Sequence, residues 1–128
     1  MRKWDSVPKN LRSFTKNVAT HEQEHFTRES DKVAIRDNIG THTYGQISER
    51  SNKVAKALSS VLTSKDNSNI AFLTPNNNFY SVAQLGIWKS GFSCVPLCQS
   101  HPPDSLRYYL EDSKSSTLVV TREFSDKV

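Results

Sequence analysis

The chain has 128 residues, enough for one domain and a modest core, and its 35% apolar content is low for a compact α/β domain. The net charge is +4 and the isoelectric point about 9.2, but Lys and Arg are scattered and form no stripe, which argues against a nucleic-acid binder. No apolar run has the length of a transmembrane helix, and the start, MRKWDSVPK, lacks the apolar core of a secretory signal.

Trp4, Val7, Leu11, Phe14 and Val18 recur every three or four residues, as one face of a helix does. Arg2, Lys3, Lys9, Arg12 and Lys16 surround that face against a single acid, Asp5. Residues 1–28 therefore read as a basic amphipathic extension, either a mitochondrial transit peptide or a surface helix on the domain edge. His21-Glu22-Gln23-Glu24-His25 has the formal spacing of a zinc-protease helix. Apolar residues that would bury such a helix are sparse and no third ligand follows, so a polar, exposed helix is expected and no metal ligand is assigned.

Residues 29–128 read as the start of an α/β domain. Lys32–Arg36 and Thr41–Tyr44 are short strands around the turn Asp37-Asn38-Ile39-Gly40, a hairpin. A helix follows to Leu62, with Ile47, Val54, Ala55, Leu58, Val61 and Leu62 as its apolar stripe. After a polar loop over Thr63–Asn69, Ile70–Thr74 is an apolar strand of the kind found inside a parallel sheet. The asparagines at 76–78 cap the next helix, whose apolar face is Phe79, Val82, Ala83, Leu85, Gly86 and Trp88 and which Gly91 closes. Ser93–Leu97 is a strand, and Pro102 and Pro103 open a helix with Asp104 in its first turn and Leu106, Tyr109 and Leu110 facing inward. Thr117–Thr121 closes the series as another buried strand. The alternation predicts a partial open, mostly parallel sheet with flanking helices and a short hairpin at the start.

Cys94 and Cys98, four apart on one strand face, would stand about 13 Å from each other, too far for a disulfide. They are expected as small buried hydrophobes or free thiols, and two cysteines alone do not make a zinc site.

In order and spacing, Tyr44-Gly45-Gln46-Ile47, Pro75-Asn76, Gly91 and Val95-Pro96-Leu97 resemble the opening of the adenylate-forming (AMP-binding) superfamily of acyl-CoA synthetases, luciferases and peptide-synthetase adenylation domains. Within it, His101-Pro102, Leu106, Tyr108, Asp112-Ser113 and Ser115-Ser116 look like the mitochondrial malonyl-CoA synthetases (malonate–CoA ligases). The likeness covers residues 30–122. It implies that a carboxylate, malonate in the subfamily, attacks the α-phosphate of ATP with Mg²⁺ present, and that coenzyme A then displaces AMP. It also implies a mitochondrial location, with the cytoplasm as the alternative.

That chemistry needs a Gly/Ser/Thr-rich phosphate loop with a lysine, and none is present. Gly86 and Gly91 have a phosphate-loop spacing, but Phe92-Ser93 follows where Lys-Ser/Thr would be required. No catalytic, cofactor-binding or metal residue is therefore carried over, and Tyr44, Pro75, Gly91, Pro96 and Asp112 carry over only as scaffold positions. The expectation is an N-terminal piece of an acid–CoA ligase, inactive alone, binding no cofactor tightly, and marginally stable because part of its sheet would lie uncovered. The alternative is a non-catalytic module that pairs through open sheet edges with a full-length ligase or with the missing remainder.

Overall fold

The structure is a computed structural model that describes residues 23–62 and 69–128. The basic face over Trp4–Val18, His21 and most of the polar loop after Leu62 lie outside the described residues. Residues 23–28 are helical. The elements are then β1 (Val33–Arg36), β2 (Thr41–Thr43), α1 (Tyr44–Val61), β3 (Asn69–Leu73), α2 (Asn78–Lys89), β4 (Ser93–Pro96), α3 (Pro103–Asp112), β5 (Thr117–Val120) and a 3-10 turn over Arg122–Lys127. This is the α/β alternation expected from the sequence.

β1 and β2 pair antiparallel, with Arg36 opposite Thr41 and an irregularity between Val33 and Ile35. They form a separate two-stranded sheet. The other strands form a parallel sheet in the order β4-β3-β5. Phe72 sits opposite Pro96 on one side and Val119 on the other.

β3 is the centre of the fold, and alternation of its side chains feeds two cores. Ile70 and Phe72 pack with Leu58, Ala83 and Ile87 on one face. Ala71 and Leu73 pack with Leu97 and Leu106 on the other. The crossover helices α2 and α3 thus cover opposite faces, the double winding of an open α/β sheet.

α1 starts where it does because of a capping box: the Thr43 hydroxyl accepts from the Gln46 amide at 3.2 Å, and the Gln46 side chain accepts from the Thr43 amide at 2.9 Å. α1 packs on α2 at a seam of small residues. A methyl group on Gly86 would lie 2.6 Å from the Val54 side chain, so only glycine lets the helices approach this closely. Ser51, wholly buried, donates to the Ser48 carbonyl at 2.8 Å and accepts from Lys89 at 2.8 Å. Asn77 caps α2 by accepting from the Phe79 amide at 3.0 Å. Gly91, just past its end, has φ +84°, a conformation that strains any residue with a Cβ.

Several expected faces differ. Val61, Phe79, Trp88 and Tyr109 are exposed, whereas Ser51 and Ile87 are buried. Val61, Phe79 and Trp88 lie within two residues of a helix end. β5 is half-buried throughout, because it has a strand neighbour on one side only. Cys98 is exposed beyond the end of β4, not buried on it, and Cys94 is half-buried. Both thiols are free, as expected. Among the described residues no helix is long and apolar enough to cross a membrane.

Candidate functional site: the carboxyl edge of the sheet

In a doubly wound sheet the loops leaving adjacent strands toward opposite faces open a crevice at the carboxyl ends. Here those strands are β3, which leads to α2, and β4, which leads to α3. The ladder runs one residue past the strands: the Leu97 amide donates to the Phe72 carbonyl at 2.9 Å, and the Thr121 amide to the Leu73 carbonyl at 3.2 Å. On the β5 side that register sets Thr74 beside Thr121.

Among the described residues, three buried polar atoms here find no hydrogen-bond partner: Thr74 Oγ1, His101 Nδ1 and Thr121 Oγ1. Each follows a different parallel strand. Thr74 is only 4% exposed. The His101 ring leans on Tyr109 with centroids 5.3 Å apart. A buried polar atom without a partner costs free energy, so three at one edge mark a surface whose hydrogen bonding is incomplete.

Cys98 stands at the same edge, its sulfur 3.0 Å from the Ser100 hydroxyl. The Ser100 hydroxyl and amide, the His101 amide and the charge of Lys127 together outweigh desolvation and hold the thiol below its ordinary pKa. Lys127 itself donates to the Gln99 carbonyl. α3 begins here with no side-chain cap, and Asp104 supplies negative charge to its first turn.

A second polar cluster, absent from the sequence reading, joins the hairpin to the helices. One carboxylate oxygen of Asp37 accepts from the Ile39 and Gly40 amides at 2.9 and 3.0 Å and from His42 Nε2 at 3.1 Å. The other accepts from the Asn78 amide and side chain at 2.8 and 3.0 Å. Arg50 donates to His42 Nδ1 at 3.2 Å and to Asn78 Oδ1 at 3.0 Å. Burial alone would raise the Asp37 carboxyl. The bonds from Asn78, His42 and Ile39 outweigh it and hold the group well below the carboxylate range. Asp37, His42 and Asn78 are each paired within it, so this cluster is a clasp and not a binding site. The turn aspartate and the asparagine run were visible in sequence, but not their meeting across 41 positions.

The five scaffold positions are dispersed. Tyr44 opens α1 with its ring against His25 and Phe26, each at 5.2 Å. Pro75 accepts from the Asn77 amide at 2.9 Å in the turn after β3. Pro96 ends β4 and Asp112 ends α3. His25 makes ring contacts, and among the described residues no group of three or more His, Cys, Asp or Glu is placed to hold a metal. Gly86 lies inside α2 and Gly91 beyond it, so they form no phosphate loop. The residues described here do not fit an ATP–magnesium site, since neither a lysine-bearing glycine loop nor gathered carboxylates are present.

The sequence model of the AMP-binding enzyme family matches residues 22–128. The mitochondrial malonate–CoA ligase of Xenopus laevis is 38% identical over 101 residues, which are 76% of this chain and 18% of that protein. The mouse malonate–CoA ligase is 34% identical over 102 residues, 77% of this chain and 18% of that one. Among solved structures, a benzoate CoA ligase from Burkholderia xenovorans aligns with TM-score 0.74 at 23% identity, over 86% of this chain and 22% of that one. The N-terminal subdomain of Klebsiella oxytoca NpsA, in complex with 3-hydroxybenzoyl-AMSN, aligns with TM-score 0.76 at 20% identity, over 87% of this chain and 27% of that one. These structures share the fold, and the chain spans less than a fifth of the length of the curated ligases it matches.

Proposed function

The chain belongs to the AMP-binding enzyme family, and from that premise we propose that it is the N-terminal part of an ATP-dependent acid–CoA ligase. The complete enzyme would join a carboxylic acid to ATP as an acyl-adenylate, with Mg²⁺ present, and then transfer the acyl group to coenzyme A. Malonate is the acid proposed, because malonate–CoA ligases are among the relatives above 30% identity. Their mitochondrial designation and the basic face of residues 1–28 support a mitochondrial location. In this reading residues 1–28 are an extension and residues 29–128 an incomplete N-terminal subdomain.

The observation that carries the proposal is the family match over residues 22–128. The part proposed for this chain is scaffolding, since its sequence offers no phosphate loop and its described residues no gathered carboxylates. Purified chain given ATP, Mg²⁺, malonate and coenzyme A is expected to yield no malonyl-CoA by mass spectrometry. The same chain co-expressed with the remainder of such a ligase is expected to yield it. Turnover by the chain alone would remove the claim of inactivity, and no turnover with either malonate or other short acids after reconstitution would remove the ligase reading.

A second reading rests on the carboxyl edge and the open sides of β4 and β5. Among the described residues, three orphaned polar atoms and the two unpaired edges of the parallel sheet suit a non-catalytic module that pairs with a full-length ligase. Light scattering on the mixture separates the readings: a 14.5 kDa monomer that ignores the ligase would eliminate the module.

A further inference from the structure

Tyr44 and Gly45, which open α1, also receive the chain that precedes the hairpin. In the helical turn over residues 23–28 the Thr27 hydroxyl donates to the Gln23 carbonyl at 2.9 Å, and the Glu29 amide donates to the His25 carbonyl at 3.0 Å. The Lys32 amide then donates to the Glu29 carbonyl at 2.9 Å, and Lys32 Nζ pairs with the Glu29 carboxylate at 2.6 Å. Three kinds of contact seat this stretch on the domain. The rings of His25 and Phe26 each meet the Tyr44 ring edge-on, with centroids 5.2 Å apart. The Tyr44 amide donates to the Lys32 carbonyl at 3.0 Å, and the Gly45 amide to the Ser30 carbonyl at 2.9 Å. Both amides stand in the first turn of α1, where the helix itself offers them no carbonyl. Lys89 Nζ, which donates to Ser51 at 2.8 Å and Asn52 at 3.0 Å, lies 6.0 Å from the centre of the Phe26 ring. One ammonium group therefore meets α1 and the incoming chain from the end of α2.

We infer that residues 23–32 are a strap of the folded domain, seated on Tyr44 and Gly45, and that a protease removing the basic extension is stopped short of Gln23. The start of the domain moves from residue 29 to residue 23. Cutting as far as residue 28 would take both rings off Tyr44 and the aromatic face from beneath Lys89. It would also leave Ser30 and Lys32, the partners of the two α1 amides, on a chain without its anchor. The family match has the same boundary, since it begins at residue 22. Arg2, Lys3, Lys9, Arg12 and Lys16 all lie upstream, so the basic face can be shed without touching the strap. The inference is independent of the ligase reading.

A matched pair of bonds makes the test. Phe14-Thr15 in the extension and Phe26-Thr27 in the strap are the same dipeptide. The full chain is digested briefly with chymotrypsin, which cuts after aromatic residues, and the fragments are weighed by mass spectrometry. Synthetic peptides spanning each bond give the cutting rates without the fold. Relative to its peptide, the Phe26–Thr27 bond is expected to be cut at least about tenfold more slowly in the chain, and the Phe14–Thr15 bond less than about threefold more slowly. A Phe26–Thr27 bond cut as readily as in its peptide would overturn the strap. Equal protection of Phe14–Thr15 would overturn the boundary. Tyr44→Ala removes the seat and is expected to speed cutting at Phe26–Thr27 about fivefold, whereas Tyr44→Phe keeps both ring contacts and the protection. Unchanged cutting in Tyr44→Ala would defeat the seat given to the strap. Should that variant fail to fold, the two wild-type rates decide the matter.

Discussion

The clasp and the carboxyl edge are both polar and both buried, yet one is saturated and the other is not. Asp37 accepts from five donors, and Arg50, His42 and Asn78 are bonded to one another around it. Thr74, His101 and Thr121 each bury an atom with no hydrogen-bond partner among the described residues. Native proteins rarely leave buried polar groups unpaired, so saturation marks structure that is complete in itself. Among the described residues the hairpin-on-helices layer thus pairs its polar groups, and the sheet edge, where α/β folds place ligands, leaves three unpaired.

The largest test of this difference is to remove a clasp donor. Arg50→Ala would strand His42 Nδ1 and Asn78 Oδ1 in the interior, and a loss of about 2–3 kcal/mol in chemical denaturation is expected. A loss below about 0.5 kcal/mol would mean that water replaces the guanidinium and that the clasp is not closed. Acid should act next. Asp37 has its carboxyl lowered on folding, so the stability it contributes is fully present above about pH 4, the unfolded carboxylate value, and drains away as pH falls toward the folded value. Asp37→Asn cannot titrate, and its stability should change less with pH in that interval. Parallel acid curves for the two proteins would show that Asp37 is not the group responsible.

Legibility followed the range of the interaction. Strand and helix identity depends on neighbours a few residues away, and the hairpin, the central strand and all three full helices were readable from period and punctuation. The family likeness rests on the same local positions, Tyr44, Pro75, Gly91 and Val95–Leu97. The clasp was not readable, because Asp37 and Asn78 meet only after two strands and a helix have packed. The buried Ser51 reads as a polar position until Gly86 brings α2 against it. Ile70–Thr74 and Thr117–Thr121 look alike as apolar runs. They differ in burial because one has strand neighbours on both sides and the other on one, which is a fact of topology. The orphaned hydroxyls of Thr74 and Thr121 are likewise invisible in the sequence, since an orphaned hydroxyl is defined by what surrounds it.

The smallest predicted effect is the most diagnostic. Thr74→Val keeps the shape of the side chain and deletes a hydroxyl that has no partner while 4% exposed. Removing an unsatisfied buried group relieves its desolvation, so the isolated chain should gain about 1 kcal/mol, against the usual direction of core substitutions. A loss of similar size would reveal a partner for the hydroxyl and close the edge, making it no different from the clasp. If the gain is found, the same variant bears on assembly. A hydroxyl kept at a cost to the isolated chain is explained if a docking segment supplies its partner. Thr74→Val should then weaken association with the remainder of the ligase even as it stabilises the chain alone. Opposite signs in the two measurements would place the docking contact at the end of β3, and equal signs would leave the orphaned threonine without a role in assembly.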